Sequence, residues 1–193
     1  MKKSLGAKTI LYPTPTLLIG SYDEAGKPNV MTAAWGGVCC SIPPCVAVSL
    51  RKATYTYGNM MNRKAFTVNI PSENQVAVVD FFGIASGKKV DKFAVSGWTP
   101  VKSDLVDAPF VKECSLVLEC RVIHTYEIGL HTQFIGEIMD VKADDSVMDE
   151  NGKLLPEKVK PFFYAPEDHR YFGMGGELGK AHAIGKSFIK TSG

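Results

Sequence analysis

Two long runs rich in β-branched and apolar residues, Ser115–Ile128 and His131–Val141, are separated by Gly129-Leu130 alone. A two-residue connection leaves no room for a crossover, so the runs must return on each other as an antiparallel hairpin. Much of the remaining chain has the same character. Leu17–Tyr22 reads as a strand closed by the turn Asp23-Glu24-Ala25-Gly26-Lys27-Pro28, and Asn29–Val38 returns as its partner. Val46–Leu50 follows the break at Ile42-Pro43-Pro44, and Ala65–Ile70 is a further short β-branched run ended by Pro71. Helices are few and short. Thr54 is placed to cap one that runs to about Met61, and Ser72-Glu73-Asn74-Gln75 has the form of a capping box for one that Gly83 ends after about Phe82. Ser86–Phe93 reads as a short polar helix or turn, and aromatics return at Pro161–Tyr164 and Tyr171-Phe172. Strands without regular strand–helix alternation exclude a doubly wound sheet. The expected fold is mainly β, an antiparallel barrel with short appended helices, in one domain over residues 1–193.

Composition narrows the partners. Hydrophobic residues at 45% and charged residues at 22% are those of an ordinary soluble globular protein. A formal net charge of +2, with no long basic run, argues against nucleic acid and against an anionic membrane surface. No apolar run approaches the roughly 20 residues of a membrane span. Lys2 and Lys3 open the chain, yet Lys8, Pro13 and Pro15 interrupt any apolar leader. The five cysteines are odd in number and lie mostly in apolar runs, which favours reduced thiols and a cytoplasmic location.

Chemistry concentrates in Asn29–Asn59. Its first run is small-residued at Thr32, Ala33, Ala34, Gly36 and Gly37, beside Met31 and Trp35. Small side chains let a flat ligand lie close to backbone N–H groups. The second run, Val46–Leu50, passes into Arg51, Lys52, Thr54 and Thr56, a cation–hydroxyl cluster where a strand enters a helix. Such a cluster suits a phosphate. A planar ring at one end and a phosphate at the other describe a flavin mononucleotide. Taken singly, the same residues also read as a core strand and a solvated strand end; their coincidence points to a ligand.

Other motifs fail on spacing. In Gly173-Met174-Gly175-Gly176-Glu177-Leu178-Gly179 the last glycine stands one residue late for a dinucleotide loop. Gly185-Lys186-Ser187 resembles the end of a phosphate loop, but Lys180 holds the place of its first glycine. Cys39, Cys40, Cys45, Cys114 and Cys120 lack the paired spacing of zinc ligands, and the four histidines form no close metal pattern.

The chain resembles the flavin reductase-like FMN-binding split barrels, and most closely their flavoredoxin-type members. The resemblance runs from Pro13 to about Tyr171. It is carried by Gly26-Lys27-Pro28-Asn29-Val30-Met31-Thr32, Val48-Ser49-Leu50-Arg51, Thr54-Tyr55-Thr56-Tyr57-Gly58-Asn59, Phe66-Thr67-Val68-Asn69-Ile70-Pro71, Asp91-Lys92-Phe93, and the hairpin Gly129–Glu137. It implies a homodimer of split barrels with one FMN per subunit near the dimer interface. Met31–Trp35 (Met31, Thr32, Ala33, Ala34, Trp35) would lie along the ring. Ser49, Arg51, Lys52, Thr54 and Thr56 would hold the ribityl chain and phosphate, Lys92 would add a phosphate cation, and Asn29, Leu50 and Asn59 would complete the cofactor site. His131 would stand over the flavin. Trp35 is either a wall at the ring's edge or an interface aromatic.

Flavin reductases of this fold typically carry an acidic residue before the hairpin histidine, where this chain has Leu130, and a histidine where it has Ala165. The expectation is therefore an electron carrier between redox proteins, with no dedicated catalytic side chain. NAD(P)H:flavin oxidoreductase is the alternative, and a split-barrel module that binds another planar ligand, or none, is the third reading.

Overall fold

A computed structural model describes residues 1–189, so the last four residues of the expected domain span lie outside the described residues. Its strands are β1 (Thr14–Pro15), β2 (Leu17–Tyr22), β3 (Pro28–Ala33), β4 (Gly36–Ser41), β5 (Pro44–Arg51), β6 (Ala65–Ile70), β7 (Pro100–Lys102), β8 (Pro109–Val111), β9 (Leu116–Ile128), β10 (His131–Ala143), β11 (Phe162–Ala165) and β12 (Arg170–Gly173). The helices are α1 (Tyr55–Arg63), α2 (Val76–Ile84), α3 (Lys92–Ser96) and α4 (Pro156–Val159). Seven strands form one antiparallel sheet in the order β3-β2-β6-β9-β10-β5-β4. Among the described residues, no helix is long and apolar enough to cross a membrane.

Side-chain alternation shows how this sheet curls. Leu17, Ile19, Ala33, Val46, Val48, Leu50, Phe66, Val68, Cys120 and Phe134 come from six of its strands and meet in one buried cluster with Met60 of α1. Inner faces of strands so far apart in the order converge only if the sheet closes on itself as a barrel. The intervening residues face outward. Leu18 and Val30 pack against Val79 and Phe82 of α2, Phe93 of α3, Val111 of β8 and Phe162 of β11, which form a second cluster on the barrel's outside. The fold is the expected barrel with appended helices.

Asn29–Val38 does not form one strand. Pro28–Ala33 pairs with β2, whereas Gly36–Ser41 pairs with β5. The chain crosses between them at Ala34-Trp35, where the Trp35 carbonyl accepts from Ser49 N at 2.8 Å. The two ends of the sheet therefore approach at that point without a continuous ladder, and the barrel is split there. Gly83 does not stop α2 either, because the helix runs to Ile84. A Cβ on Gly83 would stand 3.4 Å from the Thr32 Cβ, so this glycine lets α2 sit close on β3. The predicted Gln75 half of the capping box is present, its Oε1 accepting from Ser72 N at 2.8 Å, but the first turn is 3-10 before α2 begins. The Gly129-Leu130 hairpin forms as expected, with His131 opposite Ile128.

Candidate functional site

One hollow lies where β5 passes into α1. Thr54 is the N-cap of α1, with extended backbone angles of φ −77° and ψ 146°. Its Oγ1 accepts from Tyr57 N at 3.3 Å and donates to the Arg51 carbonyl at 2.9 Å. The N–H groups of Tyr55 and Thr56 are left without partners inside the helix, and the first turn holds no acidic side chain. The positive end of the helix is thus open to an anion. Thr54→Ala removes the cap at an expected cost of about 1 kcal/mol. Thermal melts should show a midpoint roughly 2–4 °C lower; an unchanged midpoint would mean that the cap does not hold this end of α1.

Facing the helix end is Lys92, only 4% exposed. It begins α3 after the N-cap Asp91, and its Nζ donates to the Val30 carbonyl at 2.8 Å and the Phe82 carbonyl at 2.6 Å. Phe82 lies in the last turn of α2, where carbonyls lack intrahelical donors, so the ammonium serves the fold as well. Burial strips the ammonium of hydration and pushes its pKa down to about 8. Among the described residues it forms no ion pair, and an ammonium has a third hydrogen to give. A hollow of about 210 Å³ opens beside it, lined by Asn29, Met31, Ala53, Thr54, Tyr55, Thr56, Lys92 and the Phe82–Gly87 segment. Asn29 is buried there and donates from Nδ2 to Thr56 Oγ1 at 2.9 Å.

A second hollow, of about 170 Å³, shares Met31 and Thr54 with the first and continues along β3. Met31, Thr32, Ala33, Ala34, Trp35, Ser49, Leu50, Arg51 and His131 complete its wall. Here β3 is an edge strand, paired with β2 on one side only. Because the Val30 carbonyl turns away from β2 to meet Lys92, the backbone groups of Thr32, two residues on, share that free edge. The Thr32 hydroxyl is taken by the Val79 carbonyl of α2, so what Thr32 offers the hollow is backbone. Across the opening, β10 places His131 directly opposite Arg51 and Gln133 opposite Ser49.

Two expected residues fall elsewhere. Lys52 Nζ is paired with Glu127 Oε1 at 2.6 Å and lines a separate hollow with Asp23, Glu24 and Lys88. Asn59 is buried and donates to Ser21 Oγ at 3.1 Å, holding α1 on β2. Conversely, Ala53, Tyr55 and the Phe82–Gly87 segment line the first hollow without having been singled out from sequence. The one local signal was Gly87, since a Cβ there would overlap Asn29 Oδ1.

Residues 9–170 match the family model described as the flavin reductase like domain. Flavoredoxin of Desulfovibrio vulgaris (Miyazaki F) is 52% identical, with a TM-score of 0.92 over 96% of this chain and 100% of that one. Flavoredoxin from Methanosarcina acetivorans is 32% identical, with a TM-score of 0.91 over 98% and 100%. An uncharacterized protein of Archaeoglobus fulgidus is 38% identical over 72% of this chain and 77% of its own length. The chain therefore belongs to the flavin reductase like domain family.

Proposed function

We propose that this chain is an FMN flavoprotein of the flavoredoxin type, carrying electrons between redox proteins through a non-covalently bound flavin. The observation that carries the reading is the polarity of the groove. One end offers a buried ammonium with a hydrogen to spare and the open N-terminus of a capped helix; the other offers the free backbone edge of a small-residued strand. That donor set fits FMN. In this reading Lys92, Thr54, Thr56 and the first-turn N–H groups of α1 hold the phosphate, which needs two negative charges balanced in a confined space. Asn29 fixes Thr56, while Ser49, Leu50 and Arg51 border the ribityl chain. Met31–Trp35 and His131 border the ring, and the backbone of Thr32 meets its polar rim.

FMN supplies one- and two-electron chemistry when bound. The protein's part is to hold the ring, exclude water from one face and tune its electron affinity by hydrogen bonds. The carrier reading is supported by what stands around the groove. Leu130, exposed at the hairpin tip, takes the place of an acidic residue. The nearest histidine, His169, stands four residues beyond Ala165 and is engaged by the Tyr164 hydroxyl at 2.6 Å. His131 at the groove keeps NAD(P)H:flavin oxidoreductase as the second reading. A homodimer belongs to the proposal: Tyr126, Ile128 and Leu130 of the long hairpin are exposed apolar residues at the hairpin end that carries His131. The proposed location is the cytoplasm, and the five cysteines are free in the structure.

The test is a visible spectrum of the purified protein, repeated after anaerobic addition of NADH and then NADPH. A yellow protein that stays yellow until a redox protein or dithionite is added is the expected result. Fast bleaching by either nucleotide would make it a flavin reductase. A colourless protein that takes up no added FMN would leave the third reading, a module without flavin.

A further inference from the structure

The hairpin of β4 and β5 turns through Ile42-Pro43, with Ser41 opposite Pro44 and Cys40 opposite Cys45. The register shifts between Val38 and Cys40, so Cys39 is an extra residue bulged out of the ladder. Directly opposed residues of an antiparallel pair project from the same face with Cα atoms about 4.5–5.5 Å apart. Both values lie inside the roughly 4.4–6.8 Å window that a disulfide requires. Cys40 is exposed and its Sγ donates to the Ile42 carbonyl at 3.3 Å, whereas Cys45, directly opposite, is buried at 2% exposed. All three thiols are free.

We propose that Cys40 and Cys45 are a reversible dithiol–disulfide pair, with Cys40 the attacking thiol and Cys45 the resolving one. The oxidant is a small soluble disulfide of the glutathione class, R–S–S–R. The Cys40 thiolate attacks one of its sulfurs, the S–S bond of the reagent breaks, and the departing R–S⁻ takes up the proton that Cys40 lost. The Cys45 sulfur then attacks Cys40 Sγ, expelling the second R–S⁻, which takes the proton from Cys45. The thiol pair is oxidised by two electrons, the reagent is reduced by two, and two R–SH leave.

The division of labour follows from access. An exposed thiol meets a solution disulfide first, whereas a buried one is reached only by its neighbour. Burial, with Cys40, Cys39 and the cross-strand Glu137 around it, pushes the Cys45 thiol up, so it stays protonated until the exchange reaches it. A ring closed over so short a hairpin constrains the unfolded chain little, which keeps the bond within reach of cellular reductants. The pair sits at the opposite end of β5 from Ser49 and Arg51, and its chemistry does not depend on the flavin reading.

The experiment is a titration of the full chain with oxidised glutathione, read by intact mass and by alkylation of remaining thiols. Wild type and Cys39→Ser should each lose two hydrogens, retain no glutathione, and recover the starting mass with dithiothreitol. Cys45→Ser should stop as a stable mixed disulfide on Cys40, and Cys40→Ser should leave Cys45 alkylated only after denaturation. Accumulation of a glutathione adduct on wild type without loss of hydrogens would overturn the proposal. So would a bond that Cys39→Ser abolishes, or one that joins two chains on a non-reducing gel. Thiol count and mass are read with or without bound FMN, so failure of the flavin reading leaves this test intact.

Discussion

Lys92→Met lowers the affinity for FMN by roughly 10- to 150-fold, the equivalent of one charge-assisted contact worth about 1.5–3 kcal/mol. Met keeps the length and apolar stem of the side chain inside a buried slot and deletes only the charge and its donors. The Val30 and Phe82 carbonyls lose their partner as well, while the cost of burying an ammonium disappears. These two changes oppose each other in the FMN-free fold, so affinity rather than melting temperature is the informative readout. Titration of flavin-free protein, followed by quenching of FMN fluorescence, measures it. Equal affinities would remove Lys92 from the phosphate site.

The same lysine gives FMN binding a pH dependence of fixed sign. In the flavin-free fold burial holds Lys92 near a pKa of about 8, against 10.5 for the ordinary side chain. In the proposed site the ammonium form is the one that meets the dianionic phosphate, whose charge would raise the pKa again. Affinity should therefore be flat between about pH 7 and 8, where the phosphate is already dianionic. It should fall above pH 8 by up to about tenfold per unit until the pKa of the bound state is passed. Stability of the flavin-free chain runs the other way. Its folded pKa is depressed, so this group's contribution is fully present above about 10.5 and is lost as pH falls through about 8. In Lys92→Met both slopes should vanish.

Sequence patterning was sufficient for the barrel because its strands are short, β-branched and bounded by turn residues. Leu17–Tyr22 and Ala65–Ile70 form with the limits expected of them, and the long hairpin turns at Gly129-Leu130. Periodicity says which residues share a face but not which strand lies alongside. That is why Asn29–Val38 read as one element although its two halves pair with different partners. The cation–hydroxyl cluster had the same limit. Arg51, Lys52, Thr54, Thr56 and Asn59 are neighbours in sequence, yet the N-cap turn sends Lys52 to the Glu127 side and the helix turns Asn59 inward to Ser21. Lys92 entered only through the family resemblance, and it lines the same hollow as Thr54 and Thr56. Its burial against two carbonyls was not legible, because both belong to elements distant in sequence. The wall at Phe82–Gly87 escaped notice for a related reason: its residues are apolar or small, and only their placement beside Asn29 and Tyr55 gives them a role.

Gly87 turns that placement into the second large effect, since Gly87→Val should destabilise the chain by about 2–4 kcal/mol and reduce its FMN content together. Glycine here is not required by backbone angle but by space. A Cβ would overlap Asn29 Oδ1 and lie 2.8 Å from Tyr55 Cδ1. Neither atom can retreat freely, because Asn29 is tied to Thr56 in the buried interior and the Tyr55 hydroxyl donates to Asp23 Oδ2 at 2.8 Å. Either the loop lifts away from the first turn of α1, or the Asn29–Thr56 bond breaks and leaves a buried amide unpaired. Both outcomes lower the melting midpoint, by roughly 4–16 °C for a chain of this size. Both also open the wall that faces the first turn of α1. Gly58→Ala is the matched control: Gly58 lies within α1, a Cβ there meets nothing within 4 Å, and the exchange should gain up to about 1 kcal/mol. A Gly87→Val protein that melts with the wild type and binds FMN as well would show that the Phe82–Gly87 segment moves freely over the groove and forms no part of the site's wall.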